Sequence, residues 1–326
     1  MLSFLLHRLG QSLVALFAIS VLVFVMMYCV GDPVATLLPQ NASRQQREAL
    51  RHELGLDRPL LVQYGRYLAR LVHGDLGHSY YSGQPVATLL AERAPATLEL
   101  ATVALLMAVL VGVPLGMLAG ARPRGWLSSL ALGGSLLGIS IPTFWLGLIL
   151  MMIFGVWLGW LPPMGRGATV RALGADWSCL TLNGWAHLIL PAVTLALYHL
   201  AMILRLVRSE MVDVLGRPFI RVCRARGLSE ASIIGRHALR NTLIPVVTVI
   251  GMQFGGLLAF SVVTETIFQW PGLGKLLIDS IQVDRPLVVA YLMLTGLVFL
   301  GLNALVDLTY ALIDPRIRWS APKGGS

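Results

Sequence analysis

Five apolar windows, each about 20 residues long, are the feature that most restricts how this chain can fold. They cover roughly residues 9–30, 99–120, 187–207, 242–264 and 287–312. A helix rises about 1.5 Å per residue, so about 20 residues cross a hydrocarbon core of about 30 Å. The windows therefore predict an all-α membrane protein.

The composition supports the same prediction. Hydrophobic residues make up 56% of the chain, charged residues only 13%, and the mean hydropathy is +0.74, whereas soluble domains carry about 25% charged residues. The net charge is +9, but the basic residues cluster between apolar windows, where they orient a membrane protein. No polar module is available to present a basic face, so we expect no nucleic-acid partner.

The stretch from Trp126 to Gly165 carries no formal charge, and it fits either one long span or two short ones. Pro142, in its middle, marks a kink or a hairpin. Basic residues favour the cytoplasmic side, and two spans here would export a later loop with eight arginines. We therefore predict one long, kinked or tilted span, six transmembrane helices in total, and cytoplasmic N- and C-termini.

Residues 31–95 form the largest predicted segment outside the membrane. Ser43 and Gln46 have the spacing of a capping box, Gly55 is placed to end that helix, and Pro59 is placed to start another. The segment is predicted to contain two short helices on the outer face of the membrane, and it is too small to be an independent domain.

Several isolated polar residues admit two interpretations. The segment from His73 to His78 contains two histidines and Asp75, which fits a metal site less well than a polar, glycine-containing turn. Cys29 and Cys179 are expected on the same, outer side, either as free thiols or as a pair. The ionisable residues in or at the ends of spans are expected to make polar contacts with neighbouring helices or to reach the membrane surface: Glu99, His199 and Asp307.

The sequence lacks nucleotide-binding, catalytic and metal-binding motifs. The nearest match to a phosphate-binding loop, at Gly274-Lys275, has Leu276 after the lysine and Gln269 where the first glycine belongs. There is neither an H-E-x-x-H motif nor a cluster of cysteine and histidine. The sequence therefore predicts no ATPase site, no catalytic residues and no metal site in this chain.

The segment from Pro218 to Pro245 is arginine-rich and amphipathic, and it lies between two apolar windows. Pro218 suits the first turn of a helix and Gly227 its end. Phe219, Val222, Cys223 and Arg226 fall on one stripe of that helix, flanked by Arg221 and Arg224. A second helical stretch follows over 229–239. This segment is either a docking element for a cytosolic partner or a basic loop resting on anionic headgroups.

The same segment resembles the cytoplasmic loop of binding-protein-dependent ABC importer permeases. The similarity is to the dipeptide/oligopeptide/nickel/glutathione class, first of its two permease types. The general permease pattern has Glu-Ala-Ala where this chain has Arg221-Val222-Cys223, and a proline where it has Arg240. Arginine at both places is usual for this permease type, and Cys223 stands where alanine is more frequent. The matching segments are Arg221-Val-Cys-Arg-Ala-Arg-Gly-Leu228, Arg236-His-Ala-Leu-Arg-Asn241, Leu243–Gly251, Gly31-Asp-Pro33, Leu54–Asp57, Gly74-Asp-Leu-Gly77, Ala96–Leu100, Thr264–Phe268, Trp270–Gly274 and Asp314–Arg318.

The resemblance implies a type I ABC importer permease fold and a multi-pass protein of the bacterial inner membrane. It implies a permease subunit that imports peptides, nickel or metallophore complexes, or glutathione, delivered by an outer solute-binding protein. It also implies a second, different permease subunit and two ATPase subunits, which hold the ATP and Mg. The alternative is a self-sufficient secondary transporter or channel, against which stand the lack of an intramembrane charged pair and of a visible inverted repeat.

The predicted organisation is one transmembrane permease domain over 1–326, with an outer segment at 31–95, a cytoplasmic coupling loop at 208–241 and an outer loop at 265–286. Residues expected to couple to the ATPase are Phe219, Arg221, Val222, Cys223, Arg224, Ala225, Arg226, Gly227 and Leu228. Residues expected along the translocation path are Gly251, Gln253, Gly255, Thr264 and Glu265, although packing alone also explains the glycines. Residues expected to receive the binding protein are Trp270, Pro271 and Gly272.

Overall fold

The computed structural model describes residues 2–29, 34, 38, 41–53 and 55–313. The predicted motifs at Gly31–Pro33 and Asp314–Arg318 lie outside the described residues, as do the side chains of Cys29 and Asp307. The chain divides into two compact units. The first contains Met1–Ala94 and Lys275–Leu300, and the second contains Pro95–Gly274 and Gly301–Ser326.

Helices make up most of the described chain, as the apolar windows predict. Helix α6 continues through a π-helical turn at Met151–Trp157, and α9 continues through another at Ile233–Ala238 into α10. The helices are α1 Leu2–Cys29, α2 Arg44–Glu53, α3 Leu60–Val72, α4 Val86–Ala121, α5 Trp126–Ser140, α6 Thr143–Leu150, α7 Leu182–Gly216, α8 Pro218–Ala225, α9 Glu230–Ser232, α10 Leu239–Ile267, α11 Leu273–Ser280 and α12 Arg285–Ile313.

A small hairpin departs from the all-α prediction. Strands β1 (Val170–Ala172) and β2 (Ala175–Trp177) pair antiparallel. The two residues between them, Leu173 and Gly174, both have positive φ, at 53° and 79°, which is the backbone of a type I′ turn. The hairpin lies between α6 and α7 and positions polar groups of the site described below.

Four of the described helices are long and apolar enough to cross a membrane, at Val86–Ala121, Leu182–Gly216, Pro245–Ile267 and Arg285–Val306. The pair formed by α5 and α6 adds a fifth if it is counted as one span. Helix α1 contributes a shorter apolar stretch, Gly10–Met26. The described helices thus show a multi-pass membrane protein with four to five candidate spans.

The predicted break at Pro142 is confirmed. Helix α5 ends at Ser140, Ile141 is extended with ψ of 124°, and Pro142 precedes the first residue of α6. A proline disfavours helical geometry in the residue before it and gives no backbone donor. The two helices consequently meet at 103°.

In the first unit, α1 packs against α3 and α12. Tyr64 of α3 lies edge-on to Phe17 and Phe24, and its hydroxyl is 2.7 Å from Ser20 Oγ. Val23 is buried with Val289 and Met293 of α12. The loop before α4 is attached to the start of α12, because Ser79 Oγ–H and Tyr80 N–H both donate to the carboxylate of Asp284.

The predicted caps of this unit are confirmed. Ser43 N–H donates to Gln46 Oε1 (2.9 Å), and Gln46 N–H donates to Ser43 Oγ (3.2 Å), which is a capping box. Gly55 has a φ of 68° and ends α2. Helix α3 begins after Pro59.

In the second unit, α4, α7 and α10 share one apolar core. Helix α4 contributes mostly small residues, and α7 contributes larger ones such as Leu195 and Ile203. Glycines at 112, 116 and 120 bring the two helices close together: a Cβ at Gly116 would lie 2.7 Å from Leu204 O, and one at Gly120 would lie 2.6 Å from Met211 Cβ. Helices in lipid associate through such close van der Waals packing rather than through a hydrophobic effect.

Candidate functional site

Two sites stand at opposite ends of the second unit, separated by the 35 residues of α7, or about 50 Å of helix. One is the short cationic helix α8, which directly follows α7. The other is a buried polar cluster around Glu99 and Glu265, near the start of α7.

The sequence fixes both ends of α8. Arg217 is extended, and Pro218 occupies the first helical turn, where its missing N–H costs no bond. At the other end Gly227 has a φ of 77°, its N–H donates to Arg224 O (2.9 Å), and Leu228 N–H donates to Cys223 O (3.2 Å). This is a Schellman cap, for which glycine is favoured at the left-handed position. The predicted start and end of the helix are confirmed.

The anchoring face of α8 differs from the predicted stripe. Ile220 is fully buried in the core of the second unit, and Phe219 and Cys223 are half-buried against it. Val222 is 51% exposed, and Arg226 is exposed as well. The predicted stripe therefore included two outward residues and lacked the central anchor, because the composition of an eight-residue helix does not show which side meets the protein.

The opposite face of α8 is exposed and strongly basic. Most of the residues predicted for coupling are exposed, either on this face or in the turn that follows α8. None of them is acidic. These exposed residues are Arg221, Val222, Arg224, Ala225, Arg226, Gly227 and Leu228.

An ion pair connects α8 to the next helix. Arg224 Nε donates to Glu230 Oε1 (2.6 Å) and Nη2 donates to Oε2 (3.3 Å), while Ser229 Oγ caps α9 by accepting from Ser232 N–H (3.3 Å). Hydrogen bonding to Glu230 raises the pKa of Arg224, and hydrogen bonding to Arg224 lowers the pKa of Glu230. Both side chains are exposed, so water screens this pair.

The other site is centred on the buried carboxylate of Glu99 in α4. Arg166 Nη2 donates to its Oε2 (2.8 Å), Ser178 Oγ–H donates to the same oxygen (2.7 Å), and Cys179 N–H donates to Oε1 (2.5 Å). The side chains of Arg166 and Glu99 are 11% and 1% exposed. Arg166 also donates to Asp176 O (2.5 Å) at the end of the hairpin.

This geometry decides between the interpretations of Glu99. The prediction of a polar contact with a neighbour is correct for this residue, but the neighbour is a loop arginine rather than a helix. A buried carboxylate needs such partners because an unpaired buried charge is very costly. The thiol of Cys179 is close by, and burial, together with the Glu99 carboxylate, raises its pKa.

A second buried carboxylate, Glu265 at the end of α10, completes the cluster. Thr97 Oγ1–H donates to Glu265 Oε1 (2.7 Å) and accepts from Leu273 N–H (2.8 Å). Trp270 Nε1–H donates to Ala96 O (2.9 Å), and the guanidinium carbon of Arg166 lies 5.6 Å from the centroid of the Trp270 ring. These bonds tie the segment after α10 back onto α4.

This segment contains the residues predicted to receive the binding protein and two of those predicted along the translocation path, and most of them are buried. Trp270 is fully buried, which leaves its side chain no exposed surface for another protein, and Gly272 is buried too. Thr264 and Glu265 are also buried. A Cβ at Gly272 would lie 2.5 Å from the carboxylate carbon of Glu265, so glycine is required there by close approach.

The remaining path residues lie along α10. Gly251 packs against Val306, whose Cγ2 would be 2.5 Å from an added Cβ, and Gly255 is buried. Gln253 Oε1 lies 3.2 Å from Nδ1 of the buried His199 in α7. His199 thus has a cross-helix polar partner, and Gly251 has a packing role.

Sequence reasoning missed three features of these sites. Arg166 was not singled out, although it is the first charged residue after Trp126 and lies 40 positions beyond it. The glycines at 112, 116 and 120 have the four-residue spacing that marks close helix pairs. The turn at Leu173-Gly174 also went unnoticed.

Within the described residues no group of three or more potential metal ligands occurs, and Asp75 instead accepts from Gly77 N–H (2.9 Å) in a turn.

Comparison with known proteins agrees with this architecture. Two family models match the chain: "Binding-protein-dependent transport system inner membrane component" over residues 112–319, and the N-terminal part of the same membrane component over residues 1–101. Glutathione transport system permease proteins GsiC from Escherichia coli K12 and Salmonella paratyphi A are 40% identical to the chain over 321 residues. The matched region covers 98% of this chain and 100% of each relative.

One solved structure shows the same fold. It is described as inward-facing conformations of the MetNI methionine ABC transporter, and it matches with a TM-score of 0.50 and 20% identity, covering 70% of this chain and 95% of that one. The chain therefore belongs to the family of binding-protein-dependent transport system inner membrane components, as a permease subunit of an ABC importer in a bacterial inner membrane.

Proposed function

We propose that this permease carries glutathione or a related small peptide, delivered by a solute-binding protein, and that α8 transmits the motion of a separate ATPase subunit. The substrate rests on the 40% identity to permeases named for glutathione transport. The family supplies the expectation of ATPase and binding-protein partners. A second, different permease subunit and two ATPase subunits, with their ATP and Mg, complete the proposed assembly.

The exposed basic face of α8 is the observation that carries the coupling role. A helix of eight residues cannot be stable alone, yet Ile220 and the cap at Gly227 hold this one in place. Its outer face, including Arg221 and Ala225, remains free of the protein core. A short, anchored helix with a free cationic face suits a groove on a partner.

The connections of α8 allow it to move the membrane helices. Only Arg217 separates it from α7, and the four residues Arg226–Ser229 separate it from α9, which continues into α10. A displacement of α8 by a partner therefore pulls on two spans that share the core of the second unit.

The proposed topology has six spans with both termini cytoplasmic. Four helices meet the length and hydropathy requirement, the bent pair α5 and α6 supplies a fifth, and α1 supplies the sixth. This arrangement puts α8 in the cytoplasm with Arg122 and Arg124, and it satisfies the preference of basic residues for that side.

The translocation path and the surface that receives the binding protein are proposed to lie on and after α10. We place the path along α10 near Gln253 and Gly255, with the buried Thr264 and Glu265 as support for its outer end. The outer loop 265–286 receives the binding protein through its exposed side chains, such as Gln269 and Ile281, while Trp270 and Gly272 hold the loop in shape.

Reconstituted transport tests the proposal. The assembled transporter with its binding protein is placed in liposomes, and glutathione uptake and ATP hydrolysis are measured for Arg221→Glu and Ala225→Glu. We expect uptake to fall at least about tenfold, since a misplaced charge at a docked surface costs about 1.4 kcal/mol or more. Arg124→Glu, an exposed arginine outside α8, is the matched control and should transport normally.

Two results would contradict the coupling role. One is full uptake by both α8 variants. The other is an equal loss of uptake in Arg124→Glu, which would show that charge reversal outside α8 has the same effect and would favour a loop that only rests on headgroups. Normal ATP hydrolysis stimulated by a different peptide, but not by glutathione, would correct the substrate alone.

A further inference from the structure

The first unit contains an apolar groove that continues into a pocket lined by both apolar and charged residues. The groove, of about 470 Å³, runs between α1, α3 and α12, and its lining includes Leu13, Phe17, Leu68, Val72, Met293 and Leu297. Ser20 is the one polar residue among the described residues that line it, and its hydroxyl is 2.7 Å from Tyr64 Oη. A linear apolar occupant suits such a groove.

The pocket, of about 350 Å³, adjoins the groove, because Leu71, Leu76 and Ala290 line both. Its other lining residues are polar or lie at the start of α12, and they include Tyr67, Arg70, Asp75, His78, Tyr80 and Pro286. The volumes of both cavities are in the range of ligand sites, about 300–1,000 Å³.

The order of the two cavities along α12 matches the depth profile of a bilayer. Pro286 and Ala290, at the beginning of this span, line the pocket, while Met293 and Leu297 line the groove. The distance from Ala290 to Leu297 is about 10 Å of helix at 1.5 Å per residue. The cavity with the charged residues therefore suits a headgroup and the apolar groove suits an acyl chain, and Tyr67 and Tyr80 line the former, as tyrosines commonly do at membrane interfaces.

The pocket presents charges of both signs, and one of the tyrosines that line it carries an unpaired, buried hydroxyl. Arg70 and Asp75 are exposed at the pocket, and Asp75 accepts one hydrogen bond, from Gly77 N–H. The hydroxyl of Tyr67 is buried and has no hydrogen-bond partner among the residues that the structure describes. Burial, with a contribution from Tyr64, raises the pKa of Tyr67 to about 12, so the hydroxyl stays a donor at neutral pH. Buried hydroxyls rarely remain without a partner.

We infer that these cavities bind one zwitterionic phospholipid, with an acyl chain in the groove and its headgroup in the pocket. The exposed Arg70 binds the phosphate, and the exposed Asp75 binds the ammonium group. A headgroup with both charges matches the pocket better than a purely anionic one, because the Asp75 carboxylate would repel the latter. By the proposed topology the lipid belongs to the outer leaflet.

Lipid retention by the full-length chain, purified with the subunits that copurify with it, tests this inference. The protein is delipidated in detergent, reloaded with phosphatidylethanolamine or phosphatidylglycerol, and analysed by native mass spectrometry. We expect one tightly held phosphatidylethanolamine per chain. Arg70→Gln should weaken retention of both lipids about fivefold, since one basic contact to a headgroup is worth about 1 kcal/mol. Arg66→Gln, one turn earlier, exposed and outside the pocket lining, should change nothing.

Two further variants separate the headgroup from the chain. Asp75→Asn keeps an acceptor for Gly77 N–H but removes the charge, so it should abolish the preference for phosphatidylethanolamine over phosphatidylglycerol. Leu297→Trp should fill the groove and reduce retention of both lipids, whereas Leu305→Trp, at an equally exposed position of α12 outside the groove, should not.

The inference is overturned if the wild type retains no more lipid than Leu297→Trp, or if Arg70→Gln retains both lipids as the wild type does. A preference for phosphatidylglycerol that Asp75→Asn leaves unchanged also contradicts it. So does photo-crosslinking from Leu297 to another polypeptide in the assembled transporter, because a protein would then occupy the groove. None of these measurements depends on ATP-driven uptake, so this inference and the proposed function can fail separately.

Discussion

The second unit contains two arginine–glutamate pairs with similar bond lengths and opposite surroundings. Arg166 and Glu99 are 2.8 Å apart and their side chains are 11% and 1% exposed, whereas Arg224 and Glu230 are 2.6 Å apart with 46% and 59% exposure. Breaking a buried pair leaves an uncompensated charge away from water, but breaking an exposed pair leaves two hydrated side chains.

The difference in exposure indicates that the two ion pairs have different structural roles. The buried pair joins α4 to the segment before the hairpin, and together with Glu265 and Trp270 it holds this end of the unit together. The exposed pair orients a surface that keeps its arginines accessible. The site around Glu99 is therefore held by buried bonds, whereas the α8 surface remains accessible to solvent.

Replacing Arg166 by leucine should have the largest effect on stability. Glu99 would keep only its bonds from Ser178 and Cys179, and loss of one partner of a buried pair costs about 3–5 kcal/mol. Chemical denaturation in detergent measures the change. Adding Glu99→Gln to Arg166→Leu should restore part of the lost stability, and a single variant as stable as the wild type would refute the buried-pair argument.

The two faces of α8 should respond differently to truncation. Ile220→Ala removes a fully buried side chain and should cost about 2–5 kcal/mol. Val222→Ala, on the same helix and 51% exposed, is the matched control and should stay within about 0.5 kcal/mol. Equal losses for both variants in the same denaturation assay would mean that the anchoring face is wrongly assigned.

Gly272→Ala tests the close approach of the backbone to the buried Glu265. The new Cβ would lie 2.5 Å from the carboxylate carbon of Glu265, so the carboxylate or the loop must move, at about 1–3 kcal/mol. Gly134→Ala in α5 has no atom within 4 Å of its new Cβ, and it should be neutral or slightly stabilising. The comparison is made by thermal unfolding in detergent, and an unaffected Gly272→Ala would show that this loop is loosely packed.

Glu230→Gln should have the smallest effect, with no measurable change in melting temperature at neutral pH, because water screens the pair. The lowered pKa of Glu230 means that the folded state favours the carboxylate. The contribution of the ionised Glu230 to folding stability is complete above the ordinary glutamate pKa of about 4.3, and it is lost as the pH falls through the lowered pKa. Acid titration of thermal stability should therefore differ slightly between wild type and Glu230→Gln only at acidic pH, and a larger difference at neutral pH would contradict the comparison.

Local rules in the sequence predicted the ends of elements well. The capping box at Ser43, the stops at Gly55 and Gly227, the start at Pro218 and the break at Pro142 all depend on the backbone preferences of the residues themselves. The partner of Glu99 and the anchor of α8 were not predictable in this way. Arg166 lies 67 positions from Glu99, and no local pattern encodes a contact at that separation.

By itself the sequence determined that the chain crosses a membrane several times, where its helices begin and end, and that a basic segment lies between two spans. Each of these follows from hydrophobicity or backbone preference over a few neighbouring residues. Only the tertiary structure decided that Ile220 rather than Val222 faces the core, that Trp270 is a buried support, and that Glu99 is paired. Those outcomes depend on which side chains lose their water when distant helices pack, which is a property of the folded chain.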